Sequence, residues 1–211
     1  MRKSLVLAIL LLAGCASDNP PVEAANPPGE ISGYFPPALF QQPDGCRYYR
    51  RRIFYILNEF EDTWYSKHLQ AAGERPLSFA SGSPEALRFI WLRSFHSPVI
   101  VRVEWAPTGE ATLTATMLSG AGGYEPGEVS DRVSRTLTQD EVERLLVLRE
   151  TALREPPVAC TMMLDGARWI VEASGPGGYR YVNRQSPETG AVRELGLALL
   201  GFTGWDVEPT Y

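Results

Sequence analysis

The chain has 211 residues, of which 44% are hydrophobic and 21% charged. That balance excludes a wholly disordered or collagen-like chain and suits one globular domain with extra segments. The formal net charge of −5 disfavours non-specific binding to nucleic acid.

Arg2 and Lys3 precede an apolar run over residues 5–12, which ends in Leu12-Ala13-Gly14-Cys15. A basic start, a short apolar core and small residues at its end make a secretory signal peptide. Even extended to Gly14, the run falls well short of the ~20 residues that span a bilayer as a helix. The four residues ending at Cys15 resemble the lipobox of bacterial lipoproteins. The resemblance implies diacylglyceryl transfer to the Cys15 thiol, cleavage after Gly14 and acylation of the new amine. Acyl chains on Cys15 would then make the membrane the first partner, since two or more chains anchor a protein stably. In that family an Asp after the Cys retains the protein in the inner membrane. Ala16 and Ser17 stand here, so the resemblance implies the outer membrane with the domain in the periplasm. The inner membrane and the cell surface are the alternatives. Cleavage would remove two basic residues and no acidic one, deepening the charge from −5 to −7.

Two cysteines remain, Cys46 and Cys160. In an oxidising compartment a disulfide between them is expected; the alternative is two buried thiols that pack as small apolar groups.

Residues 16–43 hold Pro20, Pro21, Pro27, Pro28, Pro36, Pro37 and Pro43 and show no periodicity. We expect an extended, semi-rigid tether over residues 15–43, reaching at most ~90–100 Å. Tyr34, Phe35, Leu39 and Phe40 give its last part enough apolar surface to lie on the domain. The domain itself is expected over residues 44–205, with a tail over 206–211.

Over residues 46–72, Tyr49, Ile53, Ile56, Leu57, Phe60 and Trp64 recur at spacings of three and four. This predicts an amphipathic helix, starting near Asp44 or Gly45, ended by Gly73 and open to a break near Glu61. Alternation over residues 88–95, 99–105 and 111–118 predicts half-buried antiparallel strands. A glycine-rich stretch, residues 120–127, predicts a flexible turn or a loop over the sheet, and residues 129–136 a fourth strand or an edge. Thr138 with Glu141 fits a capping box, Leu137 with Val142 its hydrophobic staple. The helix they open buries Val142, Leu145, Leu146 and Leu153 and stops at Pro156-Pro157. Two strands follow, residues 167–173 and 179–184. Val192, Leu195, Leu199 and Leu200 mark a last helix ending near Gly201. The order predicts an α+β fold: an antiparallel sheet of about five to six strands with helices packed on one face.

Residues 88–96 read Arg-Phe-Ile-Trp-Leu-Arg-Ser-Phe-His, residues 122–127 Gly-Gly-Tyr-Glu-Pro-Gly, and Asp165-Gly166 precedes Trp169 and Glu172. With Tyr179-Arg180 and residues 184–187, these marks make residues 87–205 resemble a group of bacterial envelope proteins. The resemblance implies no activity and no site residue.

Catalytic chemistry has few candidates. Glu61, Trp64 and His68 would share a helix face, and a carboxylate orienting an imidazole is a general-base device. No nucleophile motif accompanies them, so an exposed face with an ordinary ion pair is the plainer reading. His96, before Ser97-Pro98, reads as a turn residue. No paired Cys or His spacing suggests a metal, and neither a P-loop nor a nucleophile elbow is present. No cofactor is implied. The most suggestive feature is aromatic and basic: seven aromatics between Tyr48 and Tyr65 interleave with Arg47, Arg50, Arg51 and Arg52. Such side chains are favoured at binding hot spots, which makes Arg50, Arg51, Tyr55 and Trp64 candidate contacts for an envelope protein or a glycan. The expected function is therefore a non-catalytic binding or assembly module of the cell envelope. The alternative is an envelope hydrolase using Glu61 and His68 or the His96 region.

Overall fold

A computed structural model describes residues 33–46, 53–77, 83–161 and 165–211. Its centre is one antiparallel sheet of six strands: β1 (Ala86–Arg93), β2 (Val99–Trp105), β3 (Ala111–Leu118), β4 (Val129–Thr136), β5 (Ala167–Ser174) and β6 (Arg180–Gln185). The spatial order is β4-β3-β2-β1-β5-β6. Three helices accompany it, α1 (Glu59–Ala71), α2 (Gln139–Leu153) and α3 (Ala191–Thr203). The fold class is α+β, as the element order predicts.

The helices divide between the two faces of the sheet. Leu87, Phe89 and Trp91 of β1 and Trp169 and Val171 of β5 point to one side. There they meet Leu145 and Ala152 of α2 and Leu195 and Leu199 of α3. Ile90, Leu92, Ile100 and Ile170 point to the other side and meet Tyr65 and Leu69 of α1. The expectation of helices on one face thus holds for α2 and α3, while α1 covers the opposite face. The consequence shows in β1, which is buried along its whole length. That explains why its apolar pattern alternates only loosely: a strand covered on both faces carries apolar residues at successive positions.

Two local features set how the helices sit. In α2 the Thr138 side chain accepts from Glu141 N, and Glu141 accepts from the Thr138 N–H, completing the capping box. In α3, a Cβ on Gly196 would stand 2.6 Å from the Trp169 ring. Only glycine lets this helix lie so close to the sheet.

Helix α1 begins later than the apolar spacing predicts. Asn58 caps it, accepting from Glu61 N at 3.0 Å and donating to Glu61 Oε2 at 2.9 Å. Before the cap the chain is extended and pairs with the segment leading in: Asp44 N donates to Phe54 O, and Ile56 N to Gln42 O, both at 3.0 Å. The shorter helix also has a different phase. Its buried stripe is Tyr65, His68, Leu69 and Ala72, whereas Phe60, expected in the stripe, is 74% exposed.

The part of the tether from residue 33 onward belongs structurally to the domain. Phe35 is fully buried beside Leu39 and Phe40, in the same cluster as α1. A disulfide joins Cys46 to Cys160, 114 positions apart. Residues 206–211 lie on the domain. Trp169 Nε1 donates to Tyr211 O at 2.9 Å, and Arg93 Nη1 to Pro209 O at 3.2 Å. Residues 1–32, and with them the expected signal peptide, Cys15 and the first part of the expected tether, lie outside the described residues. Among the described residues, no helix is long and apolar enough to cross a membrane.

Candidate functional site

Helix α1 has a second stripe beside its buried one. Phe60, Thr63, Trp64 and Lys67 follow at spacings of three, one and three, which places them along one flank. This flank forms a wall of a cleft of about 480 Å³. Leu92, Ser94, Ala167 and Gln185 line it from the ends of β1, β5 and β6, and Gly123 and Tyr124 from the glycine-rich loop. The volume lies within the range of small-molecule sites, ~300–1,000 Å³.

Of the two expectations for the glycine-rich loop, the loop over the sheet holds: it is tied to the end of β1. Gly122 N donates to His96 O at 3.0 Å and Gly123 N to Ser94 O at 3.2 Å. A Cβ on Gly122 would stand 2.5 Å from Arg93 N, so the backbone reaches β1 only because this residue has none. From the helix side, Trp64 Nε1 donates to Gly122 O at 2.6 Å. These bonds hold Tyr124 over the cleft, 58% exposed. Its ring meets that of Phe95, itself 59% exposed, at 6.1 Å between centroids.

The cleft's cations already have partners. Lys67 Nζ lies 3.0 Å from Glu125. Arg168 lies 3.6 Å from Glu61 and stands over the Trp64 ring at 5.9 Å. Burial raises the Glu61 carboxyl above its ordinary value, against the opposing pull of Arg168. Arg168 and Gln185 also line a smaller pocket of about 150 Å³, with Tyr55, Glu61 and Asn183. There Asn183 Oδ1 is buried and accepts no hydrogen bond among the described residues.

The candidates named from sequence scatter across this arrangement. Trp64 lines the large cleft and Tyr55 the small one, while Arg50 and Arg51 lie outside the described residues. His68 does not share an exposed face with Glu61. It is fully buried under the glycine-rich loop. Its Nδ1 lies 2.8 Å from Trp64 O and its Nε2 3.4 Å from Ala121 O, whereas Glu61 is bonded to Asn58 and Tyr65. Helix α1 lays its Tyr65, His68 and Leu69 side on the sheet, so position 68 is covered. His96 Nδ1 lies 2.8 Å from the Tyr211 hydroxyl, a contact to the docked chain end.

Sequence reasoning missed Lys67, Tyr124, Asp165, Arg168 and Gln185 as lining residues. One signal was available for the helix wall: Phe60 and Trp64 stand four apart, on a flank beside Tyr65 and Leu69. Among the described residues, no group of three or more His, Cys, Asp or Glu is placed to hold a metal ion. The arrangement offers flat aromatic surface, paired charges and scattered hydrogen-bonding groups, a set suited to holding a ligand. No protein-family model matches the chain, and no curated protein matches it either.

Proposed function

We propose that this chain is a lipid-anchored protein of the cell envelope whose domain binds a partner without transforming it. Cys15 is the acylated residue, and the outer membrane, seen from the periplasm, is the address. The lipobox Leu12-Ala13-Gly14-Cys15 supports the anchor. The cleft beside α1 supports the binding role, and one observation carries it: Phe60 and Tyr124 stand well exposed around a concave surface. Apolar surface gathered at a concavity is the usual make-up of a ligand-binding groove. The partner is an envelope protein or the cell-wall polymer.

An envelope hydrolase is the second reading, and Glu61 favours it. A carboxyl whose proton affinity is raised by burial, beside Arg168 at the small pocket, has the character of an acid catalyst.

Photo-crosslinking residues at positions 60 and 124, in intact envelopes, test the binding role. Both positions should capture a common species that position 147 does not. Val147 is an equally exposed control on α2, across the sheet. Equal capture at all three positions would remove the cleft as the binding site. Loss of function in Glu61→Gln with an unchanged melt would put the hydrolase first. For the anchor, Cys15→Ala should abolish incorporation of a labelled fatty acid. Label retained in that variant would end the lipoprotein assignment.

A further inference from the structure

We infer that the cleft beside α1 holds a sugar ring of a neutral oligosaccharide, an inference that rests on the binding-module reading. The ring faces carry the first part of the argument. Phe60 stands on one wall, with Tyr124 on the other. A pyranose presents flat patches of C–H bonds on its faces and hydroxyls around its edge. Aromatic faces, with their negative quadrupole, attract the C–H patches. Asp165, Gln185 and Thr63 line the same cleft and supply acceptors and donors for hydroxyls.

Charge narrows the ligand class. Lys67 is paired with Glu125, and Arg168 with Glu61. Neither is a spare cation for a phosphate or a carboxylate, and Asp165 adds a negative charge of its own. A cationic ligand fares no better. The Trp64 face that would serve an aromatic cage already has Arg168 over it at 5.9 Å. A neutral ligand rich in hydrogen-bonding groups is what remains.

Backbone geometry argues against an extended peptide. Recognition by strand addition needs a row of unpaired backbone groups along a sheet edge. The cleft lies instead over the ends of β1 and β5, each of which is paired on both sides, and of the edge strand β6, where Asn183 N already donates to Pro157 O. A smaller pocket adjoins the cleft. Arg168 and Gln185 line both pockets, and the small one is bordered by Asn183. Its Oδ1 is buried and without a hydrogen-bond partner among the described residues.

The experiment is calorimetric titration of the full chain, kept in a detergent without a sugar headgroup. The probes are tetrasaccharides of β-1,4-linked N-acetylglucosamine, β-1,4-linked glucose and α-1,4-linked glucose, beside choline and inorganic phosphate. At least one tetrasaccharide should bind, and Phe60→Ala and Tyr124→Ala should each weaken it about tenfold, as loss of an aromatic anchor does. Both side chains are largely exposed, so melting temperatures should not move. No heat from any tetrasaccharide, equal binding by both variants, or binding of choline or phosphate in their place would overturn the inference. Crosslinking from positions 60 and 124 separates this failure from that of the binding role. A captured protein with no sugar binding sinks only the oligosaccharide, whereas no capture and no binding sink both.

Discussion

The indole N–H of Trp64 and the carbonyl of Gly122 meet at 2.6 Å, and this bond joins the helix wall of the cleft to its loop wall. Gly122 is at the same time pressed against β1, where a Cβ would lie 2.5 Å from Arg93 N. The neighbour is backbone at the end of a central strand, so it has little room to yield. Gly122→Ala should therefore cost at least about 1–3 kcal/mol, the range for overpacking a tight site. Trp64→Phe keeps an aromatic ring but loses the donor, and should cost less, about 0.5–1.5 kcal/mol. Urea denaturation of both variants reads the difference. A Gly122→Ala chain as stable as the parent would mean that the loop is not seated on β1.

Local signals made much of this fold legible. The strands over 99–105 and 111–118 were readable from alternation and the break between them, the one over 129–136 only as a strand or an edge, and α2 from the Thr138–Glu141 pair. Each of these depends on residues within a few positions of one another. Helix α1 misled because apolar spacing ran unbroken from Tyr49 to Trp64. The pairing of residues 42–44 with 54–56, which keeps residues 54–56 out of the helix, is invisible to periodicity. The cleft was least legible. Phe60 and Trp64 were visible as aromatics, but Ser94, Tyr124, Arg168 and Gln185 come together only when β1, β5 and β6 align and the loop docks. Spacing along a chain carries no trace of that meeting.

The Cys46–Cys160 disulfide ties the segment before α1 to the one before β5, across 114 positions. Restricting the unfolded chain over so long a loop stabilises by about 4–5 kcal/mol in the chain-entropy account. The Cys46→Ser/Cys160→Ser chain should lose stability of that order, with the midpoint in urea moving well down. Reduction of the parent chain should reproduce the loss. A reduced chain with an unchanged midpoint would show that the native contacts of the two segments suffice.

His68 makes a pH-dependent contribution whose sign follows from its burial. Burial lowers the imidazole below its ordinary value of 6.5, against the opposing effect of the two carbonyls at Trp64 and Ala121. The unfolded chain then binds a proton that the folded chain refuses. Stability from this group is present above pH 6.5 and is lost as pH falls through the folded value. Glu61 acts with the other sign: burial raises it, so its contribution is lost as pH rises through its folded value. Comparing Glu61→Gln with Glu61→Gln/His68→Gln isolates the imidazole. The first should lose stability between pH 7.5 and 5.5 by more than the second. Parallel losses in urea midpoints at the two pH values would rule out His68 as the titrating group.

The most exacting packing lies under the turn that follows α1. Arg88 and Glu172, both fully buried, face each other across β1 and β5, with Arg88 Nε 2.7 Å from Glu172 Oε2. The Tyr179 hydroxyl donates to the other carboxylate oxygen at 2.6 Å. Arg102 lies opposite Arg88 on β2, and Glu74 serves both guanidinium groups, at 2.5 Å from Arg102 and 3.4 Å from Arg88. Two cations and two anions thus balance away from water. Removing one member leaves a buried charge uncompensated, which costs about 3–5 kcal/mol, whereas replacing a pair by apolar groups of similar volume is often neutral. Glu172→Leu should accordingly destabilise by that amount. Arg88→Met/Glu172→Leu should recover part of the loss, although Tyr179 then lacks its acceptor. The two changes are in contact, so their energies should fail to add. A double-mutant cycle in urea measures the coupling. If the double change costs as much as the two single changes together, the pair contributes nothing through its mutual attraction, and packing alone accounts for its place in the sheet.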